Sequence, residues 1–363
     1  MRQIVYALTG SDKPPPVLDR LLERFVQRMR DELEDIIWNA NFKGSTLAES
    51  LFQAYSLLSE IECVRLFLAP EFYDSLRYAH WQANSDKSLR KILKLLQISS
   101  NNNVLEQNID NSIYLHKLGD TIEIDLGTEF GRRVDPSSPV FMSSFEPLTE
   151  NETKLIIDKL HKAFKEIDVT APAFSRLIRN YTRTIFVRKV SGEVPASEQV
   201  DTELGAIRLR NVHIASYSHE QLVDDLIHES VHNFLGTFEY IEFPFIQYGH
   251  RTPTTIRPVS PWSMRPIQTL PFVHACFVYF AMFHYGEKRK HLMLESSSDY
   301  QNISKRQNKY ASGFLMPGKL STYVSSLSAV DPRACQSIDW MEIIMKDKYQ
   351  IEVVSTEKHL QLA

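Results

Sequence analysis

Residues 226–236 read LIHESVHNFLG, and the five letters HESVH inside them (His228 to His232) carry more information than any other stretch. His228 and His232 are four residues apart, so on a helix both imidazoles leave one face a single turn apart and can share one metal ion. Glu229 projects beside them, where a carboxylate serves as a base or as a partner to a ligand. HExxH marks helical metal sites, most often zinc. A neutral imidazole suits zinc, copper and iron alike, so the motif names a site before it names a reaction.

The surroundings predict the helix that the motif needs. Ser218 followed by Gln221 reads as a capping box, and Leu222, Val223, Leu226, Ile227, Phe234 and Leu235 recur at helical spacing. Gly236 then reads as a C-terminal stop, which gives a helix over 219–236. A further protein ligand is required. The positions where a metzincin would place its Gly and third His hold Leu235 and Phe238, which excludes that subclass. The best later donor is His274, within LPFVHACFVYFAMFHYG (270–286). Pro271 suits the first turn, Gly286 suits the end, and an almost wholly apolar helix over 271–285 lies between. His284 and Glu287 stand behind His274 as ligands. The competing reading of His274 is a core histidine hydrogen-bonded to backbone.

Taken together, these stretches resemble the HExxH-type, 2-oxoglutarate-dependent peptide β-hydroxylases. The resemblance rests on Leu226, His228, Glu229 and His232, then Pro261, Trp262, Arg265 and Pro266 in SPWSMRP, then His274 in VHACFVYF, with GAIRLRN (205–211) upstream. It covers residues 200–290, about a quarter of the chain. Ser263 stands where an Arg often follows the Trp, and some members carry Gln in place of His274. The resemblance implies Fe(II) held by His228, His232 and His274, with 2-oxoglutarate as cosubstrate and oxygen as oxidant. It implies hydroxylation of a side-chain carbon in a peptide or peptidyl substrate, which a leader segment can accompany. Arg265 matches the family's Arg-Pro and becomes the candidate for the cosubstrate's distal carboxylate, with Arg257 and Arg251 nearby. Zinc in the same motif gives the alternative, a metallopeptidase in which Glu229 is the general base. A scaffold with a degenerate metal site is the third reading.

Composition narrows the class. An apolar share of 43% with 24% charged residues is that of a globular protein, and a net charge of −4 argues against nucleic-acid binding. Three cysteines (Cys63, Cys276 and Cys335) are too scattered for a disulfide framework. No apolar run reaches transmembrane length and the N-terminus lacks a signal-peptide core, so the expected location is the cytoplasm, away from membranes. Oligomeric state is unreadable. The expected fold is α+β and predominantly helical, with a zincin-like metal helix next to a small sheet. A helical N-terminal region with a hairpin spans 1–135, the catalytic region 136–300 and a helical extension 301–363. Helical patterns fall at 17–38, 46–62, 86–97, 149–167 and 171–180. A hairpin fits 112–127, strands fit 183–190 and 205–211, and 132–139 reads as a connection. Helices broken at 316–318 occupy 287–345, and a last strand fits 351–355.

Overall fold

A computed structural model describes residues 1–11, 16–81, 85–100, 116–119, 121–127, 145–192, 194–200, 203–247, 257–325 and 329–349. The chain begins with α1 (Arg2–Ala7), α2 (Val17–Phe42), α3 (Ala48–Ser56), α4 (Glu60–Phe67), α5 (Pro70–Trp81) and α6 (Asp86–Ser100). Next come β1 (His116–Leu118), β2 (Ile122–Asp125), β3 (Phe145–Glu146), α7 (Glu150–Thr170), α8 (Pro172–Tyr181), β4 (Thr184–Val190), β5 (Ala196–Glu198) and β6 (Ala206–Arg210). The rest is helical: α9 (His219–Ile241), α10 (Thr269–Lys290), α11 (Ser298–Ser312), α12 (Thr322–Ser325) and α13 (Pro332–Lys348). The fold is α+β and mostly helix. No helix among the described residues is long and apolar enough to cross a membrane.

Two compact units partition the chain, and they interleave along it. One takes Asp19–Glu166 and Leu177–Thr237, and the other takes Met1–Leu18, Ile167–Arg176 and Phe238–Ala363. The division runs through α2, α7, α8 and α9. The expected connection at 132–139 and the expected strand at 351–355 lie outside the described residues.

The first of these units contains the sheet, in the order β1-β2-β4-β6-β5, with β3 paired to β4. Strands β2, β4 and β6 run parallel, and β1 and β5 close the two edges antiparallel. Register places Ile124 beside Ile185 and Ile207, and Val187 beside Leu209 and Ser197, on one largely apolar face. Helices α7 and α9 lie on that face. Lys189 pairs with Glu152 of α7 at 2.8 Å, and Ser197 reaches Glu229 of α9 at 2.7 Å. On the opposite face Arg208 stacks over Phe186 and pairs with Glu203, burying a charge with its partner.

Local chemistry explains most boundaries in this unit. Helix α2 buries Leu18, Leu21, Phe25, Met29, Leu33 and Ile36, one apolar stripe at helical spacing. The single helix expected at 46–62 is broken into α3 and α4. Ser59, in extended backbone, accepts from the Glu62 N–H while the Glu62 carboxylate accepts from the Ser59 N–H. The hairpin at 112–127 is present as β1 and β2, turning at Gly119 with φ +57°; its residues 112–115 lie outside the described set.

The other unit is helical, with α11 and α13 packed on α10. Arg2 of α1 lies over the Trp340 ring of α13 at 4.7 Å. Helix α10 starts before and ends after the expected 271–285, running straight through Gly286. A Cβ on Gly286 would come within 2.7 Å of Gln307 Cγ on α11. The Gln307 amide donates to the Phe283 carbonyl and to Glu287. Gly286 permits close helix contact here rather than ending the helix.

Candidate metal centre

Strand β6 delivers the chain to α9 through a short, tightly held turn. Asn211 adopts φ +56°, a conformation that Asn tolerates better than most residues. Its amide accepts from the Val190 N–H and donates to the Gly192 carbonyl, tying the end of β6 to the end of β4. The Lys159 ammonium on α7 donates to the carbonyls of Val212, Ile214 and Tyr217, satisfying three acceptors at once. Ser218 then caps α9, its hydroxyl accepting from the Gln221 N–H at 3.1 Å. The helix therefore begins where the capping pattern places it.

Its end differs from expectation. Helix α9 continues through Gly236 to Ile241. A Cβ at 236 would meet Leu204 Cδ2 at 2.6 Å, so this glycine, like Gly286, answers to packing. The inner side of α9 is fixed by hydrogen bonds. Ser230 shares one with Thr182 at 2.8 Å, and Asn233 accepts from the Gly205 N–H while donating to the Ala206 carbonyl.

His228 and His232 project together, with their Nε2 atoms 3.3 Å apart. With metal–nitrogen bonds of about 2.1 Å, one ion bound to both would subtend an angle of about 100°, between tetrahedral and octahedral values. The two nitrogens and the Glu229 carboxylate lie within 4.8 Å of one another, the one such ligand group among the described residues. Both imidazoles are partly exposed, whereas Glu229 is buried. Burial lowers the pKa of His228, against the pull of Asp225 and Asp224, and so favours the neutral ring that binds metal. Burial pushes the Glu229 carboxyl up to about 7, although the Ser197 hydroxyl and a backbone N–H at Gln199 pull it down. Asp225 accepts from the Tyr217 hydroxyl at 2.5 Å. Burial is also the main cause that raises Asp225 to about 6.

His274, His284 and Glu287 are not members of this ligand group among the described residues. His274 belongs to the helical unit and is buried there, its Nε2 2.9 Å from Glu239 Oε2. The other Glu239 oxygen accepts from the Phe245 N–H, and the His274 ring meets Phe245 edge to face. That is the environment of a core histidine, and His274 is not one of the three grouped ligands. His284 is wedged against Phe280 and Phe283, and Glu287 is held by Lys290, Lys348 and Gln307. Arg265 is exposed, on a turn closed by the Ser260 N–H donating to the Arg265 carbonyl. Arg257 is exposed too, and Arg251 is outside the described residues. Trp262 stacks on Tyr279 and donates to the Tyr310 carbonyl, a packing role.

Two partners of the site had no sequence signal. Ser197 reaches Glu229 only because β5 pairs with β6, and Tyr217 meets Asp225 only because the turn before α9 folds back. Comparison of the chain with protein-family models and with curated protein sequences finds no match.

Proposed function

We propose that the chain is a metal-dependent oxygenase. His228 and His232 hold Fe(II), 2-oxoglutarate is the cosubstrate, and a side-chain carbon of a peptide or peptidyl substrate is hydroxylated. The observation that carries the metal assignment is the 3.3 Å approach of the two Nε2 atoms. Two imidazoles beside a carboxylate are a donor set that suits Fe(II). The choice of oxygenase comes from the resemblance in HExxH, Pro261-Trp262 and Arg265-Pro266, and a metal helix fed by a strand and flanked by an antiparallel edge strand is consistent with a zincin-like layout. The metal and its cosubstrate would supply the oxidising chemistry when bound. The chain's own residues hold and orient. His228 and His232 fix the ion, Glu229 is anchored by Ser197 beside them, and Tyr217 holds Asp225 next to the His228 turn.

A second reading, a zinc hydrolase, is favoured by Glu229. A buried carboxyl with a pKa of about 7 is matched to taking a proton from water near neutral pH. One experiment separates the two. Protein loaded anaerobically with Fe(II) and 2-oxoglutarate, mixed with a candidate peptide and then exposed to oxygen, should release succinate and add one oxygen to the peptide. His228→Ala should release none. Zinc-dependent peptide cleavage that Glu229→Ala abolishes, with no succinate from any mixture, would establish the hydrolase instead.

A further inference from the structure

The sheet-containing unit holds a cavity of about 430 Å³ that none of the metal-centre residues lines. It opens between α2 and α4 and extends to the Arg179–Arg183 segment, with Leu204, Gly205 and Thr237 also lining it. Thr237 lies nine residues beyond His228. At 3.6 residues per turn it sits about 160° around α9 from the direction of the histidine pair, on the other side of the helix. The cavity and the metal centre are therefore separate sites.

Its lining has two parts. Leu22, Phe25, Ile61, Val64, Leu68 and Leu204 give it an apolar body. Its charged residues are Arg65, Arg179 and Arg183 against a single acid, Glu60. Arg30 neutralises that acid with contacts of 2.7 and 2.8 Å. Arg183 donates to Glu123 at 2.7 Å and to the Thr121 carbonyl, and Arg179 lies over the Phe164 ring. The volume falls within the range of about 300–1,000 Å³ typical of small-molecule pockets, which join apolar walls to a few polar groups.

We infer that this cavity is a second ligand site, and that it takes a small amphipathic anion with one carboxylate on an aliphatic body. The apolar walls accept the chain, and the arginine-rich lining favours a negative head group and disfavours a positive one. The site does not depend on the metal or on the reaction performed at α9.

Calorimetric titration of the full chain with decanoate tests it. The expected result is saturable binding with one molecule per chain, at least about tenfold tighter than for decyltrimethylammonium, which carries a cationic head on the same tail. Val64→Trp, which fills the cavity, should weaken decanoate by about tenfold or more. Arg65→Gln and Ile61→Glu alter exposed side chains that folding does not require, and each should weaken it by up to about fivefold. His228→Ala should leave decanoate binding unchanged, which keeps this inference separable from the metal assignment. Absence of saturable decanoate binding would overturn it, as would equal affinity for the cationic probe or indifference to all three cavity substitutions.

Discussion

Helix α9 pairs two of its three histidines on one face and α10 carries two more, yet the two pairs have different fates. On α9, His228 and His232 are partly exposed and turn their Nε2 atoms toward each other at 3.3 Å. On α10, His274 is buried against Glu239, and His284 is packed among phenylalanines. A histidine on an apolar helix becomes a site when its nitrogen faces a second donor, as the two Nε2 atoms do here. It becomes part of the core when a buried carboxylate or aromatic rings enclose it. Spacing of four produces the first outcome because it stacks both rings on one face; a later solitary histidine carries no such guarantee.

Removing partners one at a time can break this contrast. The largest effect is expected from Glu239→Ala, which leaves His274 and the Phe245 N–H without their buried acceptor. Leaving a buried hydrogen-bonding group unsatisfied costs about 1–3 kcal/mol, here for two groups at once, read from urea unfolding. A loss below about 1 kcal/mol would mean that His274 is no more tied to its surroundings than an exposed histidine.

Next in size is an acid effect at His284. Burial first, then Lys348, holds its pKa down to about 4, against 6.5 when unperturbed. Its ring is neutral in the fold, so above pH 6.5 neither state gains a proton and its stability contribution is complete. As the pH falls from 6.5 toward 4 the unfolded chain takes up a proton that the folded chain refuses, at a cost of about 2 kcal/mol by pH 5. His284→Phe should flatten that part of the stability profile. An unchanged slope would show that the ring is already accessible to protons.

A smaller effect is expected from Gly236→Ala. Crowding of Leu204 opposes the gain in helix propensity, and the net is a destabilisation of about 1 kcal/mol by thermal unfolding. A stabilised variant would return Gly236 to the role of a mere helix breaker. The smallest is acidic loss at Glu152, whose pKa is held down to about 2, chiefly by the Lys189 ammonium. This contribution is complete above about pH 4.5 and fades as the pH falls toward 2; its setting is largely solvated, so it is worth about 1 kcal/mol or less. Lys189→Met should remove it, and an unaltered acid limb in that variant would argue against the pair.

The sequence revealed what local rules determine. The stripe of α2, the hairpin turning at Gly119, the Ser218 start of α9 and the pairing of His228 with His232 all follow from spacing and capping. Three features were hidden by distance along the chain. Gly236 and Gly286 read as helix ends because a glycine stop and a glycine contact look alike until Leu204 or Gln307 is seen against them. The break at Ser59 was masked by apolar residues that recur at helical spacing on both sides of it. The partners of Glu229 and Asp225 come from β5 and the turn at Tyr217, so sheet register and a tertiary turn decide them. His274 illustrates the same limit: an apolar helix shows that it is buried, but only the fold shows that Glu239 is beside it.

Helix α9 presents two imidazoles able to grip one transition-metal ion. Anaerobic equilibrium dialysis against Fe(II) or Zn(II), followed by elemental analysis, tests it most directly. One ion per chain is expected, with affinity reduced by at least about 100-fold in both His228→Ala and His232→Ala. A wild-type chain that retains no metal, or two variants that retain it as tightly as wild type, would contradict it.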